Sequence, residues 1–90
     1  MKKDQLQSLL DTEIYELSRR PYTRLVDELS DVVSYERGSG SDYHQFEVQM
    51  IEHELEYVHV VVSIDDGSFK KFISPISRSF IVHRDGRIEM

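Results

Sequence analysis

The chain contains no cysteine, which removes disulfides, thiol nucleophiles and thiolate-held zinc or iron–sulfur centres in one step. It has only two prolines and four glycines, with 39% hydrophobic and 31% charged residues. That is the composition of an ordinary folded domain, with enough apolar side chains for a core, and not of a disordered chain. Ninety residues make one domain, residues 1–90. They are too few for a TIM barrel, a full dinucleotide-binding fold or a kinase core. No uncharged apolar run approaches the roughly 18–20 residues of a membrane span. The start, Met1-Lys2-Lys3, is basic like a secretory leader, but Asp4, Gln5, Gln7 and Asp11 interrupt the apolar stretch such a leader needs. The expected location is the cytoplasm, with no membrane partner.

Positive charge is scarce over most of the length. Residues 1–68 carry six Lys/Arg against fifteen Asp/Glu, whereas residues 69–90 carry five against two, within a net charge of −6. An acidic whole disfavours nonspecific nucleic-acid binding but leaves a local basic patch able to attract an anion.

Apolar residue types divide the chain. Six of the seven Leu lie at or before position 29, and fourteen of the sixteen Val and Ile at or after position 32. Unbranched Leu suits helices and β-branched residues suit strands, so the first third is expected to be helical and the rest a sheet. Leu6, Leu9, Leu10, Ile14 and Leu17 fall on one face at 3.6 residues per turn. They predict a helix over about 4–20, with Asp4 as N-cap, Gln7 three residues on, and Pro21 as its stop. Tyr22, Leu25, Val26 and Leu29 predict a second helix over about 22–30, with Pro21 at its first position.

Strands are expected at Asp31–Arg37, Tyr43–His53, Tyr57–Asp65, Phe69–Ile73 and Arg78–Arg84, with a very short last strand at Arg87–Glu89. Two-residue turns are expected at Asp66-Gly67 and Asp85-Gly86. Such short connections make neighbouring strands antiparallel. The fold class is therefore α+β: one or two N-terminal helices packed on one face of an antiparallel meander sheet of four to five strands.

Strict alternation sets Val48 against Val62 and Met50 against Val60. Continued without interruption, it sets Ile51 against His59 and His53 against Tyr57. The reverse face then shows Tyr43, Ile51, Tyr57, His59 and Val61 among Gln45, Glu47, Gln49 and Ser63. One or two helices cover only one side of such a sheet, so this mixed face is the candidate surface for a protein partner or a second copy.

Motifs for chemistry are sparse. On uninterrupted alternation His53 and His59 are diagonal neighbours about 7–8 Å apart, but His44 has the opposite parity and no metal-ligand spacing is present. Glu52-His53-Glu54-Leu55-Glu56 reads as a solvated acidic turn, without the spacing of a calcium loop. Gly38-Ser39-Gly40-Ser41 has no following Lys and precedes a strand, so it is not a phosphate loop. No Gly-x-Ser-x-Gly elbow occurs. The basic, aromatic-interleaved end, Lys70, Lys71, Arg78, Arg84 and Arg87 with Phe69, Phe72 and Phe80, is the candidate anion or single-strand binder.

The sequence names no activity. The leading expectation is a small non-catalytic interaction domain that binds a protein or itself through the sheet face, with no cofactor and no metal. Nucleic-acid or anionic-ligand binding through the basic end is the first alternative. A small metal-dependent or acid/base enzyme is the second.

Overall fold

The computed structural model describes residues 2–67 and 76–90. Helix α1 spans Lys3–Ser18 and helix α2 spans Tyr22–Glu28. They are followed by strands β1 (Val33–Arg37), β2 (His44–His53), β3 (Tyr57–Asp65), β4 (Ile76–His83) and β5 (Ile88–Glu89). The five strands form one antiparallel sheet in sequential order. The architecture is α+β, with the two N-terminal helices packed against an open sheet.

The leucine stripe drives the helix layer. Leu10, Ile14 and Leu17 of α1 and Leu25 of α2 are buried, together with Leu29 just beyond it. Leu6, Leu9, Tyr22 and Val26 pack partly buried at its margin. Against them lie Phe46 and Val48 of β2, Val58, Val60, Val62 and Ile64 of β3, and Phe80 and Val82 of β4. α1 lies across β3 and β4, and α2 against β3. Every second residue of β3 is thus sealed, each such side chain contributing about 1.5–3 kcal/mol by leaving water.

The helix ends differ from expectation by a residue or two. The N-cap of α1 is Lys2, not Asp4, and the Gln5 side chain accepts a hydrogen bond from the Lys2 N–H at 3.0 Å. Asp4 instead sits in the first turn, where a carboxylate favours the positive end of the helix dipole. Pro21 is the N-cap of α2 and not its first helical residue. Its fixed φ of −64° suits that position as well.

Three departures in the sheet matter more. First, the β2–β3 register runs as expected through Val48↔Val62 and Met50↔Val60 and then shifts, continuing as Glu52↔His59 and His53↔Val58. A bulge at Ile51 inserts one unpaired residue and flips the parity of everything after it. Ile51 therefore does not pair with His59, nor His53 with Tyr57. Second, no two-residue hairpin follows β3. Ile64 pairs with Ile76, so ten residues, 66–75, separate β3 from β4, and β4 takes the edge of β3 that an immediately returning strand would need. The expected strand Phe69–Ile73 lies outside the described residues. Third, the β4–β5 turn has three residues, Arg84–Gly86. His83 N–H donates to Arg87 O at 2.8 Å and Gly86 N–H to His83 O at 3.0 Å, with Gly86 at φ +97°. A type I turn closed by a left-handed glycine has this form.

Candidate functional site

With both helices on one side, the opposite face of the sheet has no element over it among the described residues. Register arranges that face in rows. One end is polar: Glu36–Gln45–Asp65, then Ser34–Glu47–Ser63–Ser77. The next row is Gln49–Val61–Ser79, followed by Glu52–His59–Ile81–Glu89 and Tyr57–His83. Val61, His59, Tyr57, Ile81 and His83 are half-buried by their neighbours on adjacent strands, and Ile51 at the bulge is 49% exposed. Apolar and aromatic groups are thus concentrated along β3 and β4 toward the β2–β3 turn, with carboxylates on both sides.

The rim is locally wired. Tyr57 Oη donates to Glu52 Oε1 at 2.7 Å, and Tyr43 Oη to Glu36 Oε1 at 3.0 Å. Each bond to a carboxylate raises the tyrosine's pKa. His83 Nε2 lies 2.6 Å from Glu89 Oε2, and this bond holds the Glu89 carboxyl below its ordinary range. Arg87 reaches His83 Nδ1 at 3.3 Å. Among the described residues, no outer-facing strand position carries Lys or Arg, whereas Glu36, Glu47, Glu52, Asp65 and Glu89 all do carry acid.

Of the residues expected on this face, Tyr57, His59 and Val61 form its centre. Ile51 reaches its margin through the bulge, and Tyr43 closes the polar end beside Glu36. Sequence reasoning missed Ile81 and His83. Their alternation with Ser79 is visible in the sequence, but the expected strand Phe69–Ile73 stands between them and β3, so the sequence alone does not set them beside His59 and Tyr57.

The anion-binding candidates do not converge. Lys70 and Lys71 lie outside the described residues. Arg78 is opposite Val62, on the helix side, and pairs with Asp11 of α1. Arg84 sits in the β4–β5 turn, its backbone N–H donating to Glu56 O at 2.7 Å, and Arg87 lies at the far end of that turn beside His83.

His53 and His59 are separated too, while His59 and His83 share the outer face on neighbouring strands. The bulge sends His53 to the helix side, where Nε2 meets Tyr22 Oη at 3.0 Å, while His59 stays on the outer face. The sequence expectation that the two share a face is therefore corrected. His44 is buried, with Nδ1 2.8 Å from Asp42 O and its ring edge-on to Phe46. It lines a shallow open depression with Asp4, Gln5, Ser8, Leu9 and Asp42. Among the described residues no group of three or more His, Asp or Glu is placed to hold a metal ion.

The Asp-Gly carboxylates have structural partners: Asp65 Oδ1 accepts from Gly67 N–H at 2.8 Å, and Asp85 Oδ1 from Arg87 N–H at 2.9 Å. Among the described residues no helix is long and apolar enough to cross a membrane. Compared with protein-family models, with curated proteins and with solved structures, the chain matches none.

Proposed function

We propose that this chain is a non-catalytic protein-interaction domain working in the cytoplasm, and that its working surface is the outer face of the sheet. One observation carries the reading. The helices cover one side only, and the stripe Tyr57, His59, Val61 and Ile81 is left on the other side without a covering layer among the described residues. A half-buried apolar stripe with a polar rim has the anatomy of a docking surface. The placement of His53 and His59 on opposite faces, and the use of Asp65 and Asp85 as turn acceptors, support a binding role over acid/base or metal chemistry. The pairing of Arg78 with Asp11 on the opposite side weakens the anion-binding alternative.

The test compares the wild-type chain with the double variant Val61→Asp/Ile81→Asp. Neither residue belongs to the core, so the fold, checked by circular dichroism, should be kept. Self-association is measured by sedimentation, and partners retained from a cell lysate are measured by quantitative mass spectrometry. Association that the wild type shows and the double variant loses supports the reading. Association that survives both substitutions puts the working surface elsewhere, and a chain that associates with nothing removes the reading.

A further inference from the structure

We infer that the occupant of the outer face is a cationic segment of another protein, with Lys or Arg side chains interspersed with apolar ones, and not a second copy of this chain. This rests on the reading of the outer face as a docking surface and adds the chemistry of the partner.

Charge carries the argument. Glu52 and Glu89 stand at the two ends of the row whose middle is His59 and Ile81. At about 4.8 Å per strand spacing, these backbone positions are roughly 14–15 Å apart. Glu47 lies on the other side of the Gln49–Val61 row, nearer the polar end of the face. The apolar centre is therefore bracketed by carboxylates along the strands and across them. Among the described residues the outer-facing strand positions carry no Lys or Arg, and Arg87, just before β5 and against His83, is the cation at that edge.

Two stacked sheets sit about 10 Å apart, close to the Debye length at 0.1 M salt. A second copy laid face to face would bring five carboxylates against an equal five, with Arg87, beside His83, as the one cation that the described residues place at that face. Like-charge juxtaposition of that kind suppresses a partner. A cationic segment reverses the sign at every rim position. In an extended chain, side chains on one face recur about every 6.6–6.8 Å, the same repeat that separates successive rows of this face. Apolar side chains in that segment would meet Val61 and Ile81 while its cations meet the rim. Nucleic acid is repelled by the same field.

The experiment uses three synthetic peptides of equal length, Lys–Val, Glu–Val and Lys–Ser, built on the repeats Lys-Ser-Val-Ser, Glu-Ser-Val-Ser and Lys-Ser-Ser-Ser, so that in an extended chain the charged side chains alternate along one face with Val or, in the third, with Ser. Each is titrated into the isotopically labelled chain while backbone amide shifts are followed, at low and at moderate salt. The Lys–Val peptide is expected to move amides around Val61 and Ile81, with salt-sensitive affinity at least about tenfold above that of the Lys–Ser peptide. The Glu–Val peptide is expected to leave them in place. Glu47→Lys/Glu52→Lys should weaken Lys–Val binding about tenfold or more.

Equal binding of the Glu–Val peptide at this face would overturn the inference about charge and leave the docking surface standing. So would a dimer formed through this face at low salt. Failure of the Lys–Val peptide to move these amides, or shifts confined to the helix side, overturns the inference as well. The docking surface itself stands or falls separately, on Val61→Asp/Ile81→Asp.

Discussion

Glu13 shows how far one side chain can depart from its type. It is 4% exposed on α1, between Leu10 and Ile14 on the stripe that faces the sheet. Its carboxylate accepts from Tyr35 Oη and, at 2.5 Å, from the Arg37 guanidinium. Arg37 in turn stacks over the rings of Tyr35 and Phe46, 5.1 and 5.5 Å from their centroids. A buried carboxylate persists only when its oxygens are satisfied, and here the satisfying groups all come from β1. The triad thus ties the edge strand to α1, whose main packing is on β3 and β4. Tyr35 responds to its surroundings: burial, then the hydrogen bond and charge of Glu13, push its pKa above the ordinary tyrosine range. A folded-state pKa above the unfolded value of about 10 gives stability that is fully present below pH 10 and lost as pH rises through the folded value. Alkaline absorbance titration should therefore show one tyrosine ionising only as the chain unfolds. Tyr35→Phe should abolish that late step and flatten the alkaline limb of the stability curve. At neutral pH it should cost about 1 kcal/mol in urea denaturation, a hydrogen bond to charge discounted for the partial exposure of the pair. An alkaline limb equally steep in Tyr35→Phe would assign the transition to other groups.

At the scale of elements, the glycines of the turns differ sharply in what they tolerate. Gly38 has φ +74°, and a Cβ built there would lie 2.3 Å from the Asp42 carbonyl oxygen, at the end of the short 3₁₀ turn Gly40–Asp42. Gly86 has φ +97° with nothing within 4 Å. Alanine at Gly86 should cost about 1–2 kcal/mol for the left-handed backbone alone. At Gly38 it should cost more, because backbone and not a flexible side chain must give way. Urea midpoints of the two variants make the comparison, and equal losses would mean that the β1–β2 loop relaxes freely. The elements themselves were readable because Leu and Val/Ile segregate along the chain, and because the apolar parity of β2 and β3 leaves one register. The bulge was not. Ile51 is neither Gly nor Pro, and Glu52 and His53 are both polar, so either parity fits the pattern beyond Met50. Asp85-Gly86 marks a turn but not its length, and Asp66-Gly67 does not close the two-residue hairpin expected of it. That error hid Ile81 and His83, while Tyr57, His59 and Val61 were legible from alternation within β3 alone. Glu13 was legible in principle, as a carboxylate three residues after Leu10 on an apolar stripe.

At the scale of the whole molecule, the linear charge asymmetry becomes something different in space. Part of the cationic end is used within the fold, since Arg78 pairs with Asp11 and Arg87 lies against His83. The outer face meanwhile gathers Glu36, Glu47, Glu52, Asp65 and Glu89 around Val61 and Ile81. Two forces then oppose each other in any face-to-face contact between copies. Burial of the apolar stripe favours it, at roughly 25 cal/mol per Å² of apolar surface, and repulsion between the rims opposes it. Salt separates the two, because the Debye length falls from about 10 Å at 0.1 M to about 3 Å at 1 M while apolar burial does not weaken. Light scattering after size exclusion should find a monomer at low salt and an average mass that rises with concentration at high salt. Val61→Asp/Ile81→Asp should stay monomeric throughout. The reverse dependence, a dimer at low salt that salt dissolves, would mean attraction between the cationic end of one copy and the acidic body of another. The rim carboxylates would then not be what governs the outer face.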